Sequence, residues 1–157
     1  MIDAAAHPVP TPGDVLAAIP HREPFRFIDE ISEVDADHVV AHYRFRQDAP
    51  FYRGHFPGRP VTPGVLLVET MAQAGVVALG VYLVATERGV EALARTVPLF
   101  TDASVEFTGM VAPGERVTVA ARKVYFRRGK LRADAALYRA DGTVACSGLL
   151  SGILVHA

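Results

Sequence analysis

From Gly64 to Glu87 the chain reads GVLLVETMAQAGVVALGVYLVATE, apolar nearly all round, with Glu69 and Gln73 as its only strongly polar interior groups. A helix of this composition has to be covered on most of its circumference, because any exposed flank leaves hydrocarbon in water. Its longest uncharged run, Thr70–Thr86, falls just short of a membrane span and contains Gln73, Gly75 and Gly80. The pattern predicts a buried central helix, and the rest of the chain must supply its wrapping.

That wrapping reads as strands. Val39, Ala41, Tyr43 and Phe45 alternate with Val40, His42 and Arg44, the two-residue period of a half-buried strand. Phe25–Val34 carries a less regular version of the same period. After the helix, strands are expected at Leu99–Phe107, Arg116–Tyr125, Lys130–Arg139 and Thr143–Val155. Turns at Ala112-Pro113-Gly114-Glu115, Arg128-Gly129 and Ala140-Asp141-Gly142 separate them, the Asp-Gly pair suiting a tight hairpin. Strands, one long helix, then a run of antiparallel strands predict an α+β fold: a curved antiparallel sheet around a central helix. A short helix is expected at Gly13–Ile19, stopped by Pro20. Residues 1–13, rich in proline, read as a mobile tail and residues 14–157 as one domain.

Composition excludes several function classes. A net charge of −1 gives no overall pull toward nucleic acid or anionic membranes. The single cysteine, Cys146, rules out an intrachain disulfide and fits a reducing compartment. The N-terminus has Asp3 where a secretory signal carries basic residues, and no apolar core follows it. A soluble cytoplasmic protein is expected.

The chemistry concentrates at residues 54–73, GHFPGRPVTPGVLLVETMAQ. An unpaired buried carboxylate is costly, so Glu69 either finds a partner off its own helix or stays protonated. Gln73 lies four residues on, hence on the same face, and can donate an amide hydrogen to it. His55 stands in a loop stiffened by Pro57 and Pro60, where an imidazole can be held in one orientation. Pro63-Gly64-Val65 opens the helix and leaves free N–H groups, an electropositive place for an oxyanion. Taken singly, these are a turn histidine, a snorkelling glutamate and a helix start. Together they suit proton removal next to a carbonyl with loss of a β-substituent. A nucleophile is missing, since there is no G-x-S-x-G and Cys146 falls within a strand. His38 and His42 read as a solvated strand face, so no metal site is expected, and no glycine-rich phosphate cradle appears.

These residues carry a resemblance. Pro20-His21-Arg22 with Pro24-Phe25, Gly54-His55-Phe56-Pro57-Gly58, Pro63-Gly64-Val65, Glu69, Met71-Ala72-Gln73-Ala74 and Pro113-Gly114 resemble the β-hydroxyacyl-[acyl-carrier-protein] dehydratases of fatty-acid synthesis, enzymes of the hotdog fold. The likeness runs from about Val15 to Val155. It implies that His55 and Glu69 are the catalytic pair and that they meet across a dimer interface. It implies that Gly64, with Val65, polarises the thioester carbonyl, that Gln73 stands beside the acid, and that no cofactor is used. An acyl tunnel lined by Phe56, Leu66, Val76 and Phe100 is expected. A glutamate at 69 is similar to the dehydratase branch; the bifunctional isomerase branch usually has aspartate there.

The chain departs from the family pattern at Glu23, where tyrosine is common, and around Phe107, where basic residues are common. The cationic turn Arg127-Arg128-Gly129-Lys130 with Arg132 is the candidate docking surface for an acyl carrier protein, or else a solvated hairpin. The resemblance allows a dimer or a trimer of dimers. Two alternatives stand beside the main reading: a hydratase of acyl-CoA thioesters, and a non-catalytic acyl-binding subunit.

Overall fold

The computed structural model describes residues 6–157. A short helix α1 (Pro12–Ala18) is followed by strands β1 (Glu30–Val34) and β2 (His38–Arg44) and a 3-10 turn at Pro50–Arg53. The central helix α2 spans Gly64–Arg88. Strands β3 (Thr96–Phe107), β4 (Arg116–Arg127), β5 (Lys130–Tyr138) and β6 (Val144–His156) complete the chain. All six strands form one sheet in the order β1-β2-β4-β5-β6-β3, and every neighbouring pair is antiparallel.

A two-residue alternation of burial along the strands builds the sheet's inner face. Val117, Val119 and Ala121 of β4 and Leu131, Ala133, Ala135 and Leu137 of β5 are buried, while their neighbours along each strand are not. Small residues dominate where α2 crosses. A Cβ added at Gly75 would lie 2.9 Å from the Cβ of Ala121 and within 3.8 Å of those of Ala133 and Ala135. The helix therefore rests almost backbone-to-sheet along this line. By length and composition α2 could also cross a membrane, but 67% of its most apolar window is buried inside the protein.

Three features differ from the sequence expectations. Helix α1 starts at Pro12, not Gly13, because Thr11 and Asp14 form a reciprocal capping box, and Pro10 just before it is buried. Of the expected tail, residues 1–5 lie outside the described residues. The strand expected over Phe25–Val34 is confined to Glu30–Val34, because Phe25 and Phe27 spend their backbone groups on a side chain of α2 (below). Finally, α2 is not uniform: Gln73–Ala78 is a π-helical turn between two α-helical halves. Such turns collect at functional sites, and this one opens at Gln73.

Candidate active site

Gln73 is fully buried, and each polar atom of its side chain is used. Its Oε1 accepts the Phe27 N–H at 2.8 Å, which fixes the orientation of the amide because a backbone N–H can only donate. Its Nε2 then donates to the Phe25 carbonyl at 3.0 Å and to Glu69 Oε1 at 2.9 Å. One side chain thus fastens the segment after α1 to the central helix and orients the carboxyl one turn earlier.

Glu69 is less deeply buried in the single chain than its apolar neighbours suggest, with a quarter of its side chain accessible. It opens into a cavity of about 180 Å³ lined by His21, Ala72, Val76, Val77, Pro98, Leu99 and Phe100. Nor is it without a basic neighbour in its own chain: His21 Nε2 lies 3.7 Å from its Oε1. In the sequence His21 stands only as part of Pro20-His21-Arg22, with nothing to tie it to the site. The missing signal was tertiary, because the tie through Gln73 is what brings the segment after α1 against α2.

His55 follows the 3-10 turn, and its N–H is bonded to the Phe51 carbonyl. Its ring is held by the loop that follows. Nδ1 lies 2.8 Å from the Val61 carbonyl, an acceptor, so Nδ1 carries the hydrogen and Nε2 presents a lone pair. The Phe56 ring stacks on it at 4.2 Å. Val61 itself donates to the His55 carbonyl, and the next residue is pinned twice: the Thr62 N–H donates to the Val111 carbonyl, and the Thr62 hydroxyl pairs with the buried Tyr52 hydroxyl at 2.6 Å. From there the chain enters α2. No side chain caps that end, so the first N–H groups, those of Gly64 and Val65, are left as donors. Gly64 lies against the Phe107 ring, which an added Cβ would approach to 3.0 Å.

The structure gathers only part of the sequence-predicted set into one place. Glu69, Val76 and Phe100 line the cavity, with Gln73 behind Glu69. His55 and Phe56 are not among the lining residues, and Leu66 packs against the core instead. The cationic turn is partly answered within the chain. Lys130 and Arg132 each lie 3.7 Å from Asp102, and the Arg127 guanidinium lies over the Tyr125 ring. Among the described residues no group of three or more His, Cys, Asp or Glu is arranged to hold a metal ion.

A curved antiparallel sheet wrapped around one long apolar helix is the hotdog architecture. The chain belongs to the FabA-like domain family, whose model matches residues 19–148. Among curated relatives, a 3-hydroxyacyl-[acyl-carrier-protein] dehydratase FabZ of Clostridium perfringens is 35% identical over 136 residues, covering 86% of this chain and 91% of that protein. A protein of the same name from Streptococcus pyogenes is 36% identical over 138 residues, covering 88% and 94%. Among solved structures, the dehydratase heterocomplex ApeI:P of Xenorhabdus doucetiae superimposes with a TM-score of 0.72 at 16% identity, covering 90% of this chain and 91% of that one. A thioesterase of Pseudomonas aeruginosa superimposes at 0.64 and 17%, covering 96% and 97%. The fold is thus shared by a dehydratase and a thioesterase, and the site has to choose between such chemistries.

Proposed function

We propose that the protein dehydrates (3R)-3-hydroxyacyl-[acyl-carrier-protein] to the trans-2-enoyl thioester, in fatty-acid or related lipid synthesis, as a cytoplasmic enzyme without a cofactor. The observation that carries this reading is the tautomer of His55: Val61 holds the hydrogen on Nδ1 and leaves Nε2 as a base. The thioester carbonyl accepts from the N–H groups at Gly64 and Val65, which acidifies the α-carbon. His55 Nε2 takes the α-proton. Glu69 gives its proton to the β-hydroxyl, the C–O bond breaks and water leaves. His55 ends as imidazolium and Glu69 as carboxylate, and exchange with solvent resets both.

Since His55 does not line the cavity of its own chain's Glu69, the reading takes the pair from two chains of a dimer. Two surfaces support this. Val65, Phe56 and Phe107 are 75, 55 and 52% exposed around the helix start. Strand β3, twelve residues long, is an edge of the sheet with most of its residues exposed, an arrangement that invites pairing with a second strand. Carrier docking falls to the turn at Arg127 and Arg128, since Lys130 and Arg132 share Asp102.

The test is turnover of 3-hydroxyacyl chains of graded length, on carrier protein and on CoA. His55→Ala and Glu69→Gln are each expected to lower kcat by at least about a thousandfold while the protein stays folded. Dehydration retained in either variant would remove that residue from its role. Strong activity on CoA thioesters with little on carrier-linked ones would favour the hydratase alternative.

A further inference from the structure

The reaction as written gives His21 no task, although it lies against the proposed acid. One ring nitrogen, Nε2, faces Glu69 Oε1 at 3.7 Å. The other, Nδ1, is buried and has no hydrogen-bond partner among the described residues. A neutral imidazole carries a single N–H. On Nδ1 that hydrogen would meet no acceptor, whereas on Nε2 it lies 3.7 Å from a carboxyl oxygen, a little beyond hydrogen-bond distance, so burial favours the Nε2–H tautomer.

Burial keeps the ring neutral near pH 7. Burial, opposed by the Glu69 carboxylate and assisted by Arg26, lowers the His21 pKa from its usual 6.5. Arg22 and Arg26 are the charged groups of its own segment. Arg22 is spent on the carbonyls of Ile19 and His21, Arg26 on those of Leu16 and Ile28. Strand β3 presents Pro98, Leu99 and Phe100, none of which titrates, and α2 presents Glu69 as its only ionisable lining group.

Gln73 donates to the same oxygen, Oε1, at 2.9 Å. Two N–H groups therefore converge on one oxygen of the carboxyl. A protonated carboxyl carries its hydrogen on one oxygen only, and the oxygen already facing donors is the unfavourable place for it. We propose that His21 is a positioning residue of the dehydration: with Gln73 it reserves Oε1 of Glu69 as an acceptor, so that the acidic hydrogen sits on Oε2 and is delivered from there to the departing hydroxyl. The Oε2–H bond breaks, a new O–H bond forms on the leaving group, the C–O bond breaks, and His21 neither gains nor loses a proton. As charge grows on Glu69 both N–H contacts strengthen, and the His21 contact shortens to a full hydrogen bond.

This inference rests on the dehydratase reading, and one experiment separates the two. kcat and KM are measured separately for the native protein, His21→Leu, His21→Asn and His21→Gln. Leucine removes the donor, asparagine is too short to bring one to Oε1, and the glutamine amide reaches the place of the histidine Nε2. His21→Leu and His21→Asn are expected to lower kcat about ten- to hundredfold with KM little changed, and His21→Gln to keep most of it. An active native protein whose donor-less variants keep kcat, or lose it only together with a matching change in KM, or fall no further than His21→Gln, overturns the role of His21 alone. A native protein inactive on both thioesters overturns the dehydratase reading and this inference with it.

Discussion

At the scale of single residues, the site depends on how firmly two short segments are held. Val61 aligns the His55 ring, and Val61 is in turn fixed through Thr62, whose hydroxyl is joined to Tyr52 in a buried pair at 2.6 Å. Tyr52→Phe leaves the Thr62 hydroxyl buried without its partner, at an expected cost of about 1–3 kcal/mol. Denaturant unfolding at one fixed protein concentration measures it, because association also moves apparent stability. The double variant Tyr52→Phe/Thr62→Val removes both hydroxyls, keeps the volume of the second side chain, and is expected to regain part of the loss. A double variant no better than the single one would show that Thr62 finds another partner. Pairs of this kind explain what was legible here. Glu69 and Gln73 could be joined on paper because four residues along a helix is a fixed distance. The Tyr52–Thr62 and His21–Glu69 contacts could not, because no periodicity links a loop or a segment to what it packs against.

At the scale of elements, the sequence announced the strands and the helix but not how closely they approach. Gly75 read only as an interruption of an apolar run. In the fold it lets α2 settle on Ala121, Ala133 and Ala135. Gly75→Ala sets two effects against each other. Alanine gains about 1 kcal/mol of helix propensity, while a Cβ placed 2.9 Å from that of Ala121 overpacks the interface at a cost of about 1–3 kcal/mol. The overpacking is expected to prevail, leaving a net loss that Ala121→Gly in the same chain relieves. A stabilised Gly75→Ala protein, seen as a higher unfolding midpoint, would show that helix and sheet can slide apart freely. The same tertiary contacts account for two other unforeseen features. The π-helical turn begins at the residue whose side chain is tied to Phe25 and Phe27, and that tie keeps Phe25–Ile28 out of β1. Strand order was equally hidden: β3 follows α2 in the chain, yet it pairs with β6 at the far edge of the sheet.

At the scale of the whole molecule, the two groups proposed to carry the reaction lie at two separate places on one chain. The cavity beside Glu69 is lined by that carboxyl, His21 and apolar residues but not by His55, while His55 sits on the loop leading into the exposed start of α2. If a two-fold dimer completes both sites, each site takes His55 from one chain and Glu69 from the other. Two inactive variants then rescue each other. In a dimer of His55→Ala with Glu69→Gln, one site loses both groups and the other keeps both. Random mixing makes half of the dimers mixed, so refolding or co-expressing the two variants in equal amounts is expected to restore about a quarter of native turnover. Differently tagged chains, purified through both tags, are expected to raise this to about half, one working site in two. A site built within one chain gives the opposite result, because every chain in the mixture then lacks either its base or its acid. No recovery in a doubly tagged, intact mixed dimer would therefore place His55 and Glu69 in the same subunit, and the loop at residues 54–63 would have to swing toward its own cavity when substrate binds.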